Sequence, residues 1–294
     1  MTLAAVVDEA RIVLPDGEET ALQGMFGKLG DLLAQLRDDG VLRLKRSTIW
    51  LVEVLPQVIL MDVLFSKALL IDDEVRLLLI RELDAITDWD NEDNNDSSET
   101  FAIAKLTRRE PTACIVFEQY AERLPGPPVL HRVAEYKQLL AFYREAPEIG
   151  DFDEFAYFRQ AALAFPHLFF KPDIARECRW FSEPYRAIRP ELTRALAALG
   201  DLLPVLCKAN TDLRVVQKEF TVTTGFEISP DSPNTHKNQK AMRERDVIIG
   251  GTRLRCEWHV KLKPHIDRIH FHFGDAKVSD NRIIVGILTD HLTT

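Results

Sequence analysis

The chain has 294 residues, 46% of them hydrophobic and 28% charged, with a formal net charge of −9. That length and composition suit one large or two ordinary globular domains and exclude general disorder. The charge is uneven: residues 218–294 hold 12 Lys/Arg and 10 Asp/Glu, against 25 and 36 in residues 1–217, which excludes non-specific coating of nucleic acid by the long acidic part.

The N-terminus, MTLAAVVDEARIVLP, carries acids early and has no basic leader region, so no signal peptide is expected. RIVLPDGEE reads as a short strand and turn. In LQGMFGKLGDLLAQLRDDG, residues Met25, Phe26, Leu29, Leu32, Leu33 and Leu36 recur at helical spacing, and Gly40 is a suitable C-cap. The most apolar stretch, STIWLVEVLPQVILMDVLF, is broken by Glu53, Pro56 and Asp62, so no membrane span and no membrane partner are expected. IDDEVRLLLIRELDAI opens with acids in a first helical turn.

DWDNEDNNDSSE, residues 88–99, reads as an exposed acidic loop. Asp88, Asp90, Glu92, Asn94, Asp96 and Glu99 fall at the ligand positions of a calcium loop, but Asp93 stands where the turn needs glycine. ACIVFEQY is helix or strand. PGPP at 125–128 is a break, and HRVAEYKQLLAFYREA reads as a helix with His131 at its start. The aromatic run DFDEFAYFRQAALAFPHLFF reads as core, with His167 a partly buried imidazole. Pro190 followed by Glu191 signals a helix start, and Gly200 a stop.

From about residue 218 the pattern becomes β-like: EFTVTTGFEIS, VIIGGTRLRCEWHVKLKP, DRIHFHFGD and NRIIVGILTDHL, with a hairpin turn at Gly250–Gly251. The expected fold class is α+β: a mostly helical region over residues 1–217, then a small antiparallel β-sheet domain over 218–294. Four cysteines without a CxxC pair suggest reduced thiols and a cytoplasmic setting.

Six of the eight histidines lie in the last 59 residues. Alternation in CEWHVKLKPHIDRIHFHFGD gathers Arg255, Glu257, His259, Lys261, Arg268, His270 and His272 on one face of a hairpin, with His265 in its turn. Three readings compete for this face. The first is a solvated sheet surface. The second is metal-free phosphodiester chemistry, with His259, His270 and His272 as acid and base and Lys261 and Arg268 on the phosphate. The third is a divalent metal held by Glu257, His270 and His272. No phosphate-binding loop, dinucleotide fingerprint, nucleophile elbow or HExxH occurs.

The segments HVKL, DRIHFHF and RIIVGIL, about 40 residues in all, resemble the C-terminal strands of the RelE/ParE/HigB toxin family. That resemblance implies a small sheet whose basic residues meet RNA or a partner, with Lys261, Arg268 and Arg282 in contact with RNA. The expected function is a toxin-like or defence-associated nuclease with a His/Lys/Arg face, contacting nucleic acid through Lys261, Arg268, Arg255 and Arg282 and needing no cofactor. The alternative is a non-enzymatic subunit of a defence or toxin complex, docking a protein partner through the helical region.

Overall fold

The structure is a computed structural model that describes residues 2–14, 19–66, 71–90, 96–126, 128–264 and 266–293. The fold is α+β, in two compact units, Met1–Asp151 and Phe152–Thr294. The unit boundary lies well before the expected division at 217/218, which falls inside a helix of the second unit. The helices after residue 152 belong with the C-terminal sheet, so the change in sequence pattern marks a change of secondary structure within one unit.

Unit 1 runs β1 (Ala4–Val7), α1 (Leu22–Asp38), β2 (Leu42–Lys45), β3 (Glu53–Leu55), β4 (Val58–Ile59), α2 (Leu60–Phe65), α3 (Asp73–Asp84), β5 (Thr87–Asp88), α4 (Ser98–Thr107), β6 (Thr112–Ile115), β7 (Glu122–Leu124), β8 (Leu130–Val133) and α5 (Tyr136–Ile149). Among the described residues its main sheet has six strands in the order β5-β2-β1-β6-β8-β7, parallel except for the β7–β8 edge pair. All four residues of β1 are buried, as a central parallel strand covered on both faces requires. Ala4 and Val6 pack with Ala102 and Leu106 of α4, while α1 buries Phe26, Leu29, Leu32, Leu33 and Leu36. The chain steps outward from β1 to β5 and then returns to β6, so the strand order reverses between β1 and β6.

Unit 2 runs α6 (Glu154–Ala164), β9 (Leu168–Phe170), α7 (Tyr185–Ala197), α8 (Leu203–Ala209), α9 (Leu213–Thr224), β10 (Glu227–Pro230), α10 (Pro233–Lys237), α11 (Gln239–Arg243), β11 (Asp246–Ile249), β12 (Thr252–Arg255), β13 (Trp258–Lys263), β14 (Ile266–His272) and β15 (Ile283–Thr289). Among the described residues its main sheet has five strands, β10-β13-β14-β15-β9, antiparallel apart from the β15–β9 pair. Val260, Ile269, Phe271, Val285 and Leu288 are buried and share one face by register. The β11–β12 hairpin, turning at Gly250 (φ 56°) and Gly251 (φ 82°), is a separate two-stranded sheet. Its Val247, Ile249 and Leu254, with Cys256, pack on Ile284 from the other face of the main sheet.

Several local expectations change. HRVAEYK is not one helix: Leu130–Val133 pairs into the parallel sheet and the helix begins at Tyr136. EFTVTT is helical, because Val216 and Phe220 bury at helical spacing and this packing overrides β-branched propensity. Pro190 lies inside α7, and Gly200 lies within a π-helical turn, Ala198–Leu202, that continues the helix. The calcium-loop positions Glu92 and Asn94, and the turn residue His265, lie outside the described residues. The flanking Asp88, Asp90 and Glu99 have basic or hydroxyl partners instead: Lys45, Arg46 with Ser47, and Arg11 with Arg132. Among the described residues, no helix is long and apolar enough to cross a membrane.

The β14–β15 register shifts between His270 and Phe271, leaving Gly286 without a cross-strand partner. A Cβ on Gly286 would overlap the Cys256 sulfur and sit 3.3 Å from Val247 Cγ1. Gly286→Ala is therefore expected to destabilise unit 2 by about 2 kcal/mol through overpacking, and Cys256→Ala in the same chain to recover much of the loss. Urea midpoints of the single and double variants check this. A loss below about 0.5 kcal/mol would contradict the packing argument.

Candidate functional site

The sequence-predicted hairpin forms, and its histidines share a face. His259 pairs directly with His270 across β13 and β14, with ring centroids 5.0 Å apart. The face is nevertheless covered, which corrects the expectation of an open polar surface: His259 is 5% and His270 0% exposed. The cover is built by the neighbouring segment. Arg245, fully buried at the end of α11, makes a bidentate ion pair with Asp231, with Nε–Oδ2 2.9 Å and Nη2–Oδ1 3.1 Å. Its Nη1 also donates to the carbonyls of Ala241 and Thr293, each at 2.7 Å. Alternation reveals that a strand has two faces but not what lies over them.

Burial dominates the electrostatics of the two imidazoles. It lowers the His259 pKa to about 4, assisted by the nearby Arg268 cation. It pushes His270 well below its ordinary value, with His259 and Arg245 adding to the effect. Both rings are therefore neutral at pH 7. His270 Nδ1–H donates to the Cys256 carbonyl at 3.2 Å, while His259 Nε2 lies 3.2 Å from Ser229 Oγ. His259 Nδ1, His270 Nε2 and Arg268 Nε are buried nitrogens with no hydrogen-bond partner among the described residues.

The other predicted residues disperse. His272 is half-buried and its Nδ1 accepts from the Gly274 backbone N–H at 3.1 Å. Lys261 is paired with Glu227 at 2.7 Å. Arg268 is half-buried and faces Lys261 across the hairpin. Arg255 belongs to the separate β11–β12 hairpin, where it pairs with Asp246 at 2.8 Å. Arg282 lies at the start of β15, its Nε donating to the Ser279 carbonyl and its guanidinium over the Phe169 ring. Among the described residues, no group of three or more His, Cys, Asp and Glu side chains could hold a metal. The alternative set Glu257, His270 and His272 is therefore not assembled.

Unit 1 holds a cluster that sequence reasoning missed. In open α/β sheets, ligands bind beyond the carboxyl ends of the strands where the strand order reverses. At that point here, Asp8 follows β1 directly and is fully buried. Burial raises its pKa, against the opposing hydrogen bond from Arg11. Arg11 Nη1 sits 2.6 Å from Asp8 Oδ2 and 2.6 Å from Glu99 Oε2, so one guanidinium nitrogen bridges two carboxylates. Glu99, in the first turn of α4, also accepts from Arg132 Nη2 at 2.9 Å. Arg132 is anchored a second time by Glu122. Glu9 accepts from the Ser98 hydroxyl and lies 3.7 Å from Arg46. The available signal was the run AAVVD, a short buried strand ending in an acid, whose apolar residues are too few to show a period.

No protein-family model matches the chain, and no curated protein or solved structure matches it either.

Proposed function

We propose that the protein is a toxin-like or defence-associated nuclease acting on RNA or DNA phosphodiester bonds, with the carboxyl end of the unit 1 sheet as its reactive centre. The observation that supports this reading most is the Asp8–Arg11–Glu99 bridge: two carboxylates in unequal surroundings at the reversal of strand order. Such a pair suits acid–base catalysis. Glu99 takes the proton from an attacking hydroxyl or water as its oxygen bonds to phosphorus. Asp8, whose burial favours the protonated carboxyl, is the group that gives a proton to the oxygen that leaves as the old P–O bond breaks. Arg11 and Arg132 neutralise the charge that builds on the phosphoryl oxygens. The four free cysteines are consistent with action in a reducing cytoplasm.

The test is cleavage of labelled RNA and DNA, with and without a divalent cation. Glu99→Gln and Asp8→Asn are each expected to lower the rate at least about a hundred-fold. Wild-type activity should fall as pH rises through the raised Asp8 pKa, because the acid form is then lost. Undiminished cleavage by a folded Glu99→Gln chain would remove the proposal. The second reading, a non-enzymatic subunit that docks a protein partner, is favoured by one observation: Leu51 and Phe65 of unit 1 are 61% and 62% exposed. Partner capture that depends on Leu51 and Phe65, with no cleavage by wild-type protein, would favour it.

A further inference from the structure

Unit 2 carries a concavity of about 360 Å³ between α8 and the loop before β15, and the buried histidines do not line it. Its positive side is made by Lys208 and Arg282, with the His167 imidazole beside them. The donors of these groups are uncommitted. Arg282 gives only its Nε, to the Ser279 carbonyl at 3.0 Å, and lies over Phe169 with its guanidinium carbon 5.5 Å from the ring centroid. Its Nη1 and Nη2, and the side chains of Lys208 and His167, have no hydrogen bond or ion pair among the described residues. The apolar side is Leu203, Pro204 and Phe273, and Asp280 and Asn281 complete the rim.

Both walls are held in place. Asp275 Oδ1 accepts from the Lys277 and Val278 backbone N–H groups at 2.8 and 3.0 Å, and Ser279 Oγ donates to the Arg282 carbonyl at 2.7 Å. Gly274, at φ +121°, lets the chain pass so close that a Cβ would lie 2.6 Å from the Asn281 carbonyl oxygen. Asp280 and Asn281 are both left-handed, at φ 51° and 62°. Opposite them, Pro204 has no N–H for the Gly200 carbonyl, and the turn before it widens to π-helical pairing. The next turns then present Leu203, Pro204, Cys207 and Lys208 along one face. Burial raises the Cys207 pKa, so this thiol is part of the wall and not a nucleophile at neutral pH.

A ligand suited to this pocket needs an anionic head for three nitrogen donors, a flat apolar body, and donors for the Asp280 carboxylate. We propose that it binds a nucleotide through a terminal phosphomonoester. The phosphate is held by Arg282, Lys208 and His167, the base lies against Pro204 and Phe273, and sugar hydroxyls or exocyclic amines reach Asp280. This site is independent of the Asp8–Glu99 centre, and its readout is equilibrium binding, not cleavage.

The experiment measures binding of three probes to the full chain: adenosine 5′-monophosphate, a 5′-phosphorylated single-stranded decanucleotide, and the same decanucleotide ending in a 5′-hydroxyl. The phosphorylated decanucleotide is expected to bind at least about ten-fold tighter than its hydroxyl twin. Competition by the mononucleotide would show that free and terminal nucleotides share the site, and binding of the mononucleotide alone would assign the pocket to a free nucleotide. Arg282→Gln also removes the bond to Ser279, so Lys208→Gln, an exposed side chain without a partner, is the deciding variant. It should abolish the preference at an unchanged melting temperature. Equal affinity for the twins with no mononucleotide binding, or a preference that survives Lys208→Gln, would overturn the proposal.

Discussion

Arg245→Met is expected to cost unit 2 about 3–5 kcal/mol, the loss typical of breaking a buried ion pair by removing one partner. Arg245 is completely enclosed and Asp231 is 6% exposed, so the substitution leaves a carboxylate under cover without its counter-ion. It also strips the donors from the Ala241 and Thr293 carbonyls. The effect should extend beyond the pair. Arg245 ties α11, the approach to α10 and the C-terminal tail into one layer over the histidines, and Thr293 is clipped again by Glu244 at 2.9 Å. Asp231→Leu in the Arg245→Met chain should recover part of the loss, because a buried charge is then no longer stranded. Hydrogen exchange at the amides of β13 and β14 reads this unit specifically. A change of less than about 1 kcal/mol in their opening energy would show that the cover is not held by this pair.

Acid should destabilise the same unit before it affects ordinary carboxylates. His259 titrates at about 4 in the folded chain against 6.5 for a free imidazole, and His270 is displaced in the same direction. Below pH 6.5 the unfolded chain binds protons that the folded chain refuses, so stability is fully present above that pH and falls as pH drops toward 4. For His259 alone the loss across this window reaches about 3 kcal/mol. Arg268, Arg245 and Lys261 oppose protonation and Asp231 favours it. Urea unfolding at a series of pH values gives the slope, and His270→Phe should flatten it. A wild-type curve level between pH 6.5 and 4.5 would contradict the burial argument.

The parts of the fold that were legible in the sequence are those with a long period or a dedicated turn. α1 declared itself by apolar spacing, α3 by the acids of its first turn, the β11–β12 turn by Gly250–Gly251, and the β13–β14 pairing by alternation over a dozen residues. The parallel sheet of unit 1 did not, because its strands are two to four residues long and the central β1 and β6 are buried on both faces, so these two show neither alternation nor length. The same blindness hid Asp8, Glu99 and Arg132, which come from three distant segments and meet only when the strands lie side by side. Of the face that alternation gathers, His259 and His270 do lie side by side, but under cover, and Arg255 lies on the separate β11–β12 hairpin. The covering residues, Arg245, Val247 and Cys256, sit just upstream of the strands they cover, and no local pattern announces that return.

Cys256, wedged against the bulge at Gly286, has its thiol pushed up to about 12 by burial. At neutral pH almost none of it is thiolate, and none of its surface is open to solvent. An alkylating reagent can therefore reach this sulfur only in molecules whose β11–β12 layer has lifted. With reagent concentrated enough to outpace reclosing, the rate of labelling at position 256 is the rate of that opening, which makes a native residue a clock for the exposure of the histidines beneath it.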